Sequence, residues 1–153
     1  MAIQLQLRKG TKLENDSFIG AEAELTYDTT TKGIRVHDGL TVGGNIIDTI
    51  VFFQAPTADN NYTWVRKYAS GWVEQGGIVF PTTSTATRVS VALPVTMSSS
   101  VYSVQVSAGD NTADAGVYSY YTNRTTTGFE ILHSHTTTSY TIGDSWQVSG
   151  MAA

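Results

Sequence analysis

Short runs of alternating apolar and polar residues, cut by glycine, asparagine and proline, make up most of the chain. Glu24-Leu25-Thr26-Tyr27 and Ile34-Arg35-Val36-His37 alternate on either side of Asp28-Thr29-Thr30-Thr31-Lys32-Gly33. This layout predicts a β-hairpin, with Leu25 and Tyr27 sharing one face, as do Ile34 and Val36, and with Gly33 in the left-handed position that closes such a loop. Asp38-Gly39 and Gly43-Gly44 mark two further turns. Few large apolar side chains fall in the first 45 residues. A segment this small buries too little surface to offset its chain entropy alone. It needs neighbours, most simply other copies of itself.

Ile46 to Phe53 is apolar apart from Asp48 and Thr49, and Gln54 to Asn61 reads as a turn-rich linker. Ile46, Ile47, Ile50 and Phe53 lie at near-helical spacing, which suits a short helix on a threefold axis. The β-branched content argues equally for a strand, and the run is too short to arbitrate. An exposed run of this kind is a liability in a monomer, so burial against partner chains is expected.

From Tyr62 onward the pattern is all-β. Tyr62–Tyr68 and Trp72–Gln75 form a hairpin around Ala69-Ser70-Gly71, returning to Gly76-Gly77. Trp64 and Trp72 are expected to face each other across it, with Arg66, Lys67 and Glu74 in cross-strand charge pairs. Further strands fall at Ile78–Phe80, Arg88–Leu93, Tyr102–Ser107, Val117–Tyr121, Thr127–Leu132 and Ser145–Gly150. The alternation puts Tyr102, Val104 and Val106 on one face. The turn spacing suits a sandwich or barrel. The expected architecture is all-β: a small N-terminal hairpin module (1–45), a linker (46–60) and a C-terminal antiparallel β-sandwich (61–153).

Charged residues are 14% of the chain and the net charge is −4, well under the roughly 25% charged content of an ordinary soluble domain. Arg8, Lys9 and Lys12 form the one basic cluster, too small to track phosphates, so nucleic acid is not an expected partner. There is no cysteine, which removes disulfides, thiolate chemistry and Cys-based zinc sites. No apolar run approaches the roughly 20 residues of a membrane span, and the N-terminus does not read as a secretory signal. Synthesis in a cytoplasm, without membrane insertion, is the expectation.

Two stretches carry resemblances. Arg8-Lys9-Gly10-Thr11, the Gly20-Ala21-Glu22-Ala23-Glu24-Leu25-Thr26-Tyr27-Asp28-Thr29 run and Val36-His37-Asp38-Gly39, in this order, resemble the N-terminal module of bacteriophage tail-fibre and receptor-binding proteins, the kind that begins the major tropism determinant. Asn61-Tyr62-Thr63-Trp64, Arg66-Lys67-Tyr68 and Gly71-Trp72 with Glu74-Gln75-Gly76-Gly77, together with the closing Trp146–Ala153, resemble a C-terminal domain common in phage and prophage tail fibres. The resemblance implies a virion protein that is an intertwined homotrimer. It would attach to tail or baseplate proteins by its N-terminal module and meet a host-surface glycan or protein with its β domain. A structural baseplate or connector protein would use the same modules without touching the host.

Several side chains are candidates for that contact or for other chemistry. Tyr118, Tyr120 and Tyr121, with Arg124 after them, form an aromatic cluster suited to recognition, since tyrosine offers large contact area at low entropy cost. Asp110, Asn111 and Asp114 would supply polar contacts. Alternation also allows these tyrosines to be packing residues, with at least one in the core. His133 and His135, at i and i+2, point the same way on a strand. Around a threefold axis they would gather into an octahedral set fit for a transition metal; otherwise they face solvent beside Thr136–Thr138, and no cofactor is needed. The chain lacks a G-x-S-x-G elbow, an H-E-x-x-H and a P-loop. Asp110 with Asp114, or Glu130 with Asp144, are pairs any acidic chain offers, so no catalysis is expected.

Overall fold

The computed structural model describes residues 7–80, 87–109, 118–134 and 143–153, with backbone alone for Thr87 and Ser134. The chain divides into two units, one of residues up to Phe52 with Lys67–Gly71, the other of Phe53–Arg66 with Trp72–Ala153.

In the first unit β1 (Arg8–Gly10) leads into α1 (Lys12–Ser17) and then into β2 (Leu25–Asp28), which runs parallel to β1. The helix begins at a capping box: the Thr11 hydroxyl accepts from the Glu14 amide, and the Glu14 carboxylate accepts from the Thr11 amide at 2.7 Å. β2 pairs antiparallel with β3 (Ile34–Val36), and β3 with β4 (Asn45–Ile47), giving the order β1-β2-β3-β4. The expected hairpin is present. Its left-handed residue is Lys32 (φ 63) and not Gly33. Glycine at 33 serves close packing, since a Cβ there would stand 2.7 Å from that of Ala69.

The inside of this unit is polar. Asn15, Thr26, Asp28, Arg35 and His37 are buried, whereas Leu25 and Ile47 are 38% and 45% exposed. The register explains the inversion. Leu25 is opposite Val36, and Tyr27 is opposite Ile34, itself opposite Ile47, so these share one face. Thr26 and Arg35 occupy the other face. Arg35 there bonds the α1 residue Asp16 and the loop carbonyl of Gly43. The ambiguous run at 46–53 is extended: β4 is followed by a turn at Asp48-Thr49 and by β5 (Ile50–Gln54). Asp48 accepts hydrogen bonds from the Ser70 amide and hydroxyl, at 3.0 and 2.9 Å.

After a 3-10 turn at Ala58–Asn60 come β6 (Trp64–Tyr68), β7 (Trp72–Val79), β8 (Thr87–Ala92), β9 (Ser103–Ser107), β10 (Tyr118–Thr122), β11 (Gly128–Ser134) and β12 (Asp144–Met151). They form a five-stranded sheet, β5-β6-β7-β12-β9, and a three-stranded sheet, β10-β11-β8. Val65, Val73, Trp146 and Val148 from the first sheet meet Val91, Phe129 and Ile131 from the second in one core, closed by Leu93, Met97 and Tyr102. Phe129 and Trp146 touch edge to face at 5.9 Å. Tyr102, Val104 and Val106 face inward as the alternation predicts, while Ser103, Gln105 and Ser107 are exposed.

β7 runs straight through Gly76-Gly77, which reads as a turn in the sequence. The missing side chains make room for two tryptophans: a Cβ at Gly76 would lie 2.7 Å from Trp64 Nε1, and one at Gly77 would lie 3.0 Å from Trp146 Cζ2. Trp64 therefore packs against Gly76 and not across from Trp72, which pairs with Met151. Arg66 and Glu74 form the expected cross-strand pair at 3.9 Å. Gln75 is fully buried and behaves like a strand segment, its amide donating to Val95 O and accepting from Val95 N at 2.8 and 2.9 Å.

Candidate functional site

β10 is an edge strand of the three-stranded sheet, and it carries the tyrosine cluster. Tyr118, Tyr120 and Tyr121 are 51%, 50% and 42% exposed, so none of them is a core residue. An edge strand has a neighbour on one side alone, which leaves aromatic rings on it uncovered even where their strand partners pack. Tyr118 and Tyr120 stack with centroids 6.1 Å apart and planes 13° apart, forming a flat aromatic ledge.

Arg124 has a different task from the one its position suggests. Its guanidinium donates to the Tyr102 carbonyl and lies over the rings of Tyr102 and Tyr121, at 5.3 and 5.8 Å from their centroids. Tyr102 in turn donates its hydroxyl to Gly128 O at 3.0 Å. Burial pushes that phenol above its ordinary pKa, against the pull of the Arg124 cation. The arginine thus fastens the loop after β10 to the start of β9 and presents Tyr121 by stacking on it. Asn123 and Arg88 both reach the Glu130 carboxylate. Asp110, Asn111, Asp114 and His135 lie outside the described residues.

Behind β10 sits a buried polar cluster. Asp144, at the start of β12, accepts from the Ser119 hydroxyl at 2.7 Å, from His133 Nδ1 at 2.8 Å and from the Gly109 amide at 3.2 Å. His133 and Asp144 are both wholly inaccessible to solvent. One carboxylate thereby ties β12 to β10, β11 and the end of β9. The three residue types are those of a hydrolytic triad, but the geometry differs. Ser119 Oγ lies 3.0 Å from the same Nδ1 that meets Asp144, whereas a proton relay needs serine and carboxylate on opposite ring nitrogens. The arrangement holds strands together. Ser119 and Asp144 escape notice in the sequence because a serine in a hydroxyl-rich strand and an aspartate after glycine both read as surface residues. Among the described residues no group of three or more His, Asp or Glu side chains is placed to hold a metal, and no helix is long and apolar enough to cross a membrane.

The major tropism determinant N-terminal domain family matches residues 5–41, the span that holds β1, α1, β2, β3 and the turn at Gly39. A comparison with curated proteins found no match. Among solved structures, an N-truncated R2-type pyocin tail fibre is similar over 57% of this chain and 34% of its own, at 14% identity and a TM-score of 0.47. The U1 variant of the major tropism determinant is similar over 57% of this chain and 29% of its own, at 23% identity and a TM-score of 0.29. The P3c variant gives 22% identity and a TM-score of 0.27. The chain spans about a third of the length of the solved chains it matches.

Proposed function

We propose that this chain is a tail-fibre protein of a bacteriophage or prophage-derived tail, working as a homotrimer in the virion. Its tropism-determinant module attaches to tail or baseplate proteins, and its second unit contacts a glycan or protein of the host surface. The observation that carries this reading is the family match at residues 5–41, on a chain whose other unit displays an exposed tyrosine ledge. The trimer is supported by the apolar face of the first unit. Leu25 and Ile47 stand exposed there, and Ile50 and Phe52 follow at 51% and 49% exposure. Apolar surface on this scale marks a contact with another chain. The role is binding and not catalysis, and three equal sites let weak single contacts add through effective concentration.

Light scattering on a size-exclusion column tests the assembly, with an expected mass of about three times 16.5 kDa. Fluorescently labelled protein on whole host cells tests the contact. A clean monomer that leaves cells unlabelled would remove this reading, while a trimer that leaves them unlabelled would point to a connector within the tail.

A further inference from the structure

The outer face of the five-stranded sheet holds a groove of about 550 Å³ whose construction suits one kind of ligand. Its residues stand in cross-strand rows. Trp64 packs beside Gly76, Gly76 pairs with Gln147, and Gln147 pairs with Gln105. In the next row Ile78 pairs with Ser145, and Ser145 with Ser107. Glycine at 76 leaves no side chain between the indole and the first amide, so the row is sunk in its middle. Tyr62 and Trp64 line the aromatic end, and the amides and hydroxyls line the other.

The aromatic end is built at a conformational cost. Asn61 and Tyr62 both have left-handed backbone, at φ 52 and 54; for Asn61, the C-cap of the 3-10 turn, this is ordinary, but bulky residues such as Tyr62 rarely adopt it. Surrounding hydrogen bonds hold them there. Tyr62 N donates to Thr57 O at 2.7 Å, Thr63 N to Asn60 O at 3.0 Å, and Ile78 N to Asn61 O at 3.0 Å. The Asn60 side chain accepts from Thr57 N and donates to Ala55 O. The strain does not serve burial, because the Tyr62 ring is left 45% exposed. A strained residue such as Tyr62, over-determined by its surroundings, is typical of binding sites.

No charged side chain lines the groove. The nearest charges are the Arg66–Glu74 pair at 3.9 Å, and the Arg66 guanidinium covers one face of the Trp64 ring, 5.6 Å from its centroid, leaving the other face to the groove. Among the described residues no group bonds the side-chain amide of Gln105 or Gln147, so the acceptor and the two N–H donors that each carries are free to meet a ligand.

We propose that this groove binds a neutral hexopyranose unit of a host-surface glycan. The C–H face of the sugar rests on Trp64 and Tyr62, and its hydroxyls exchange hydrogen bonds with Gln105, Gln147, Ser107 and Ser145. Vicinal hydroxyls both donate and accept, which matches amides and serines. An acidic sugar finds no cation in the groove. The volume lies within the usual range for small-molecule sites, where an apolar wall is joined to a few polar groups. The host origin of the glycan rests on the function proposed above, whereas the chemistry of the site does not.

The test uses the full chain on an array of neutral and acidic oligosaccharides, with whole-cell labelling run in parallel. Neutral glycans should be retained, and the double variant Gln105→Leu with Gln147→Leu should bind them about tenfold or more weakly, at unchanged melting temperature. Both positions are exposed, so folding should survive; should it not, Gln147→Glu, which places a charge in the groove, is expected to give the same loss. Trp64→Phe should keep part of the affinity and Trp64→Ala none. Cells labelled by a protein that retains no neutral glycan, or retention unaffected by the glutamine changes, would overturn the site and leave the host-attachment reading standing. Glycan binding that depends on Gln147, with cells unlabelled, would do the reverse.

Discussion

Arg35 and Asp28 form a buried ion pair at the centre of the first unit, Nη2 to Oδ2 at 3.0 Å, with side chains 4% and 1% exposed. The same Nη2 lies 2.7 Å from Asp16 Oδ1, and Nη1 donates to Gly43 O at 2.9 Å. Around it, Asp28 accepts the amides of Thr30 and Thr31. His37 Nε2 lies 3.0 Å from the Thr26 hydroxyl. A guanidinium offers its donors in a rigid fork, and here that fork joins the helix, the β-hairpin and the glycine turn that an apolar core would otherwise hold.

Arg35→Met should therefore act like the loss of a core residue. It leaves Asp28 buried without its cation, a change that typically costs about 3–5 kcal/mol. Amide exchange across residues 24–47 should accelerate strongly while exchange in β7 and β12 stays as it was. Protection left unchanged at 24–47 would show that the network contributes little.

Acid should loosen the same unit first. The Asp16 carboxyl is held below its ordinary pKa by Lys12 and Arg35. Asp38 is held well below by the Thr41 hydroxyl and the Thr41 and Leu40 amides. At Asp28 burial pushes upward, but the Thr31 amide, Arg35 and the Thr30 amide outweigh it and the net direction is down. Carboxyls depressed in the folded state stabilise above the unfolded-state value, near ~4, and that stability is lost as pH falls through the folded values. Thermal melting from about pH 6 to about pH 3 should show a falling midpoint below about pH 4, and Asp38→Ala should flatten part of the fall. A midpoint that rises on acidification would contradict the assignment.

The tyrosine ledge and its arginine should separate on mutation. Tyr118→Ala with Tyr120→Ala removes exposed rings and should weaken host-cell labelling with little change in melting temperature. Arg124→Ala removes a charged hydrogen bond to a backbone carbonyl and two ring contacts, and should destabilise by about 1–2 kcal/mol. If Arg124→Ala abolishes labelling at unchanged stability, the arginine meets the receptor directly.

Alternation and turn residues alone made much of this protein legible. The β2–β3 hairpin, the turns at Gly39 and Gly43-Gly44, the inward face of Tyr102, Val104 and Val106, and the Arg66–Glu74 pair all follow from side chains repeating every second residue. The order of motifs from Arg8 to Gly39 pointed to the N-terminal module, since backbone turns demand particular residues at particular places. The helix at Lys12–Ser17 also had its signal, the Thr11-x-x-Glu14 capping box, but one turn and a half carries no periodicity to accompany it.

What the tertiary structure decided is which face of each pattern lies inside. In the first unit the polar face is buried, because a helix and two loops bring Asp16 and Gly43 to Arg35, and local alternation contains no information about that covering. Gly76-Gly77 became mid-strand because Trp64 packs on Gly76 and Trp146 on Gly77, a fact set by residues 12 and 69 positions away along the chain. The Ser119–His133–Asp144 cluster, the Arg124 bond to Tyr102 and the Trp64–Gln147–Gln105 row all join separate strands. A sequence states which groups are available; strand register determines which of them meet, and at these sites the meeting is the chemistry.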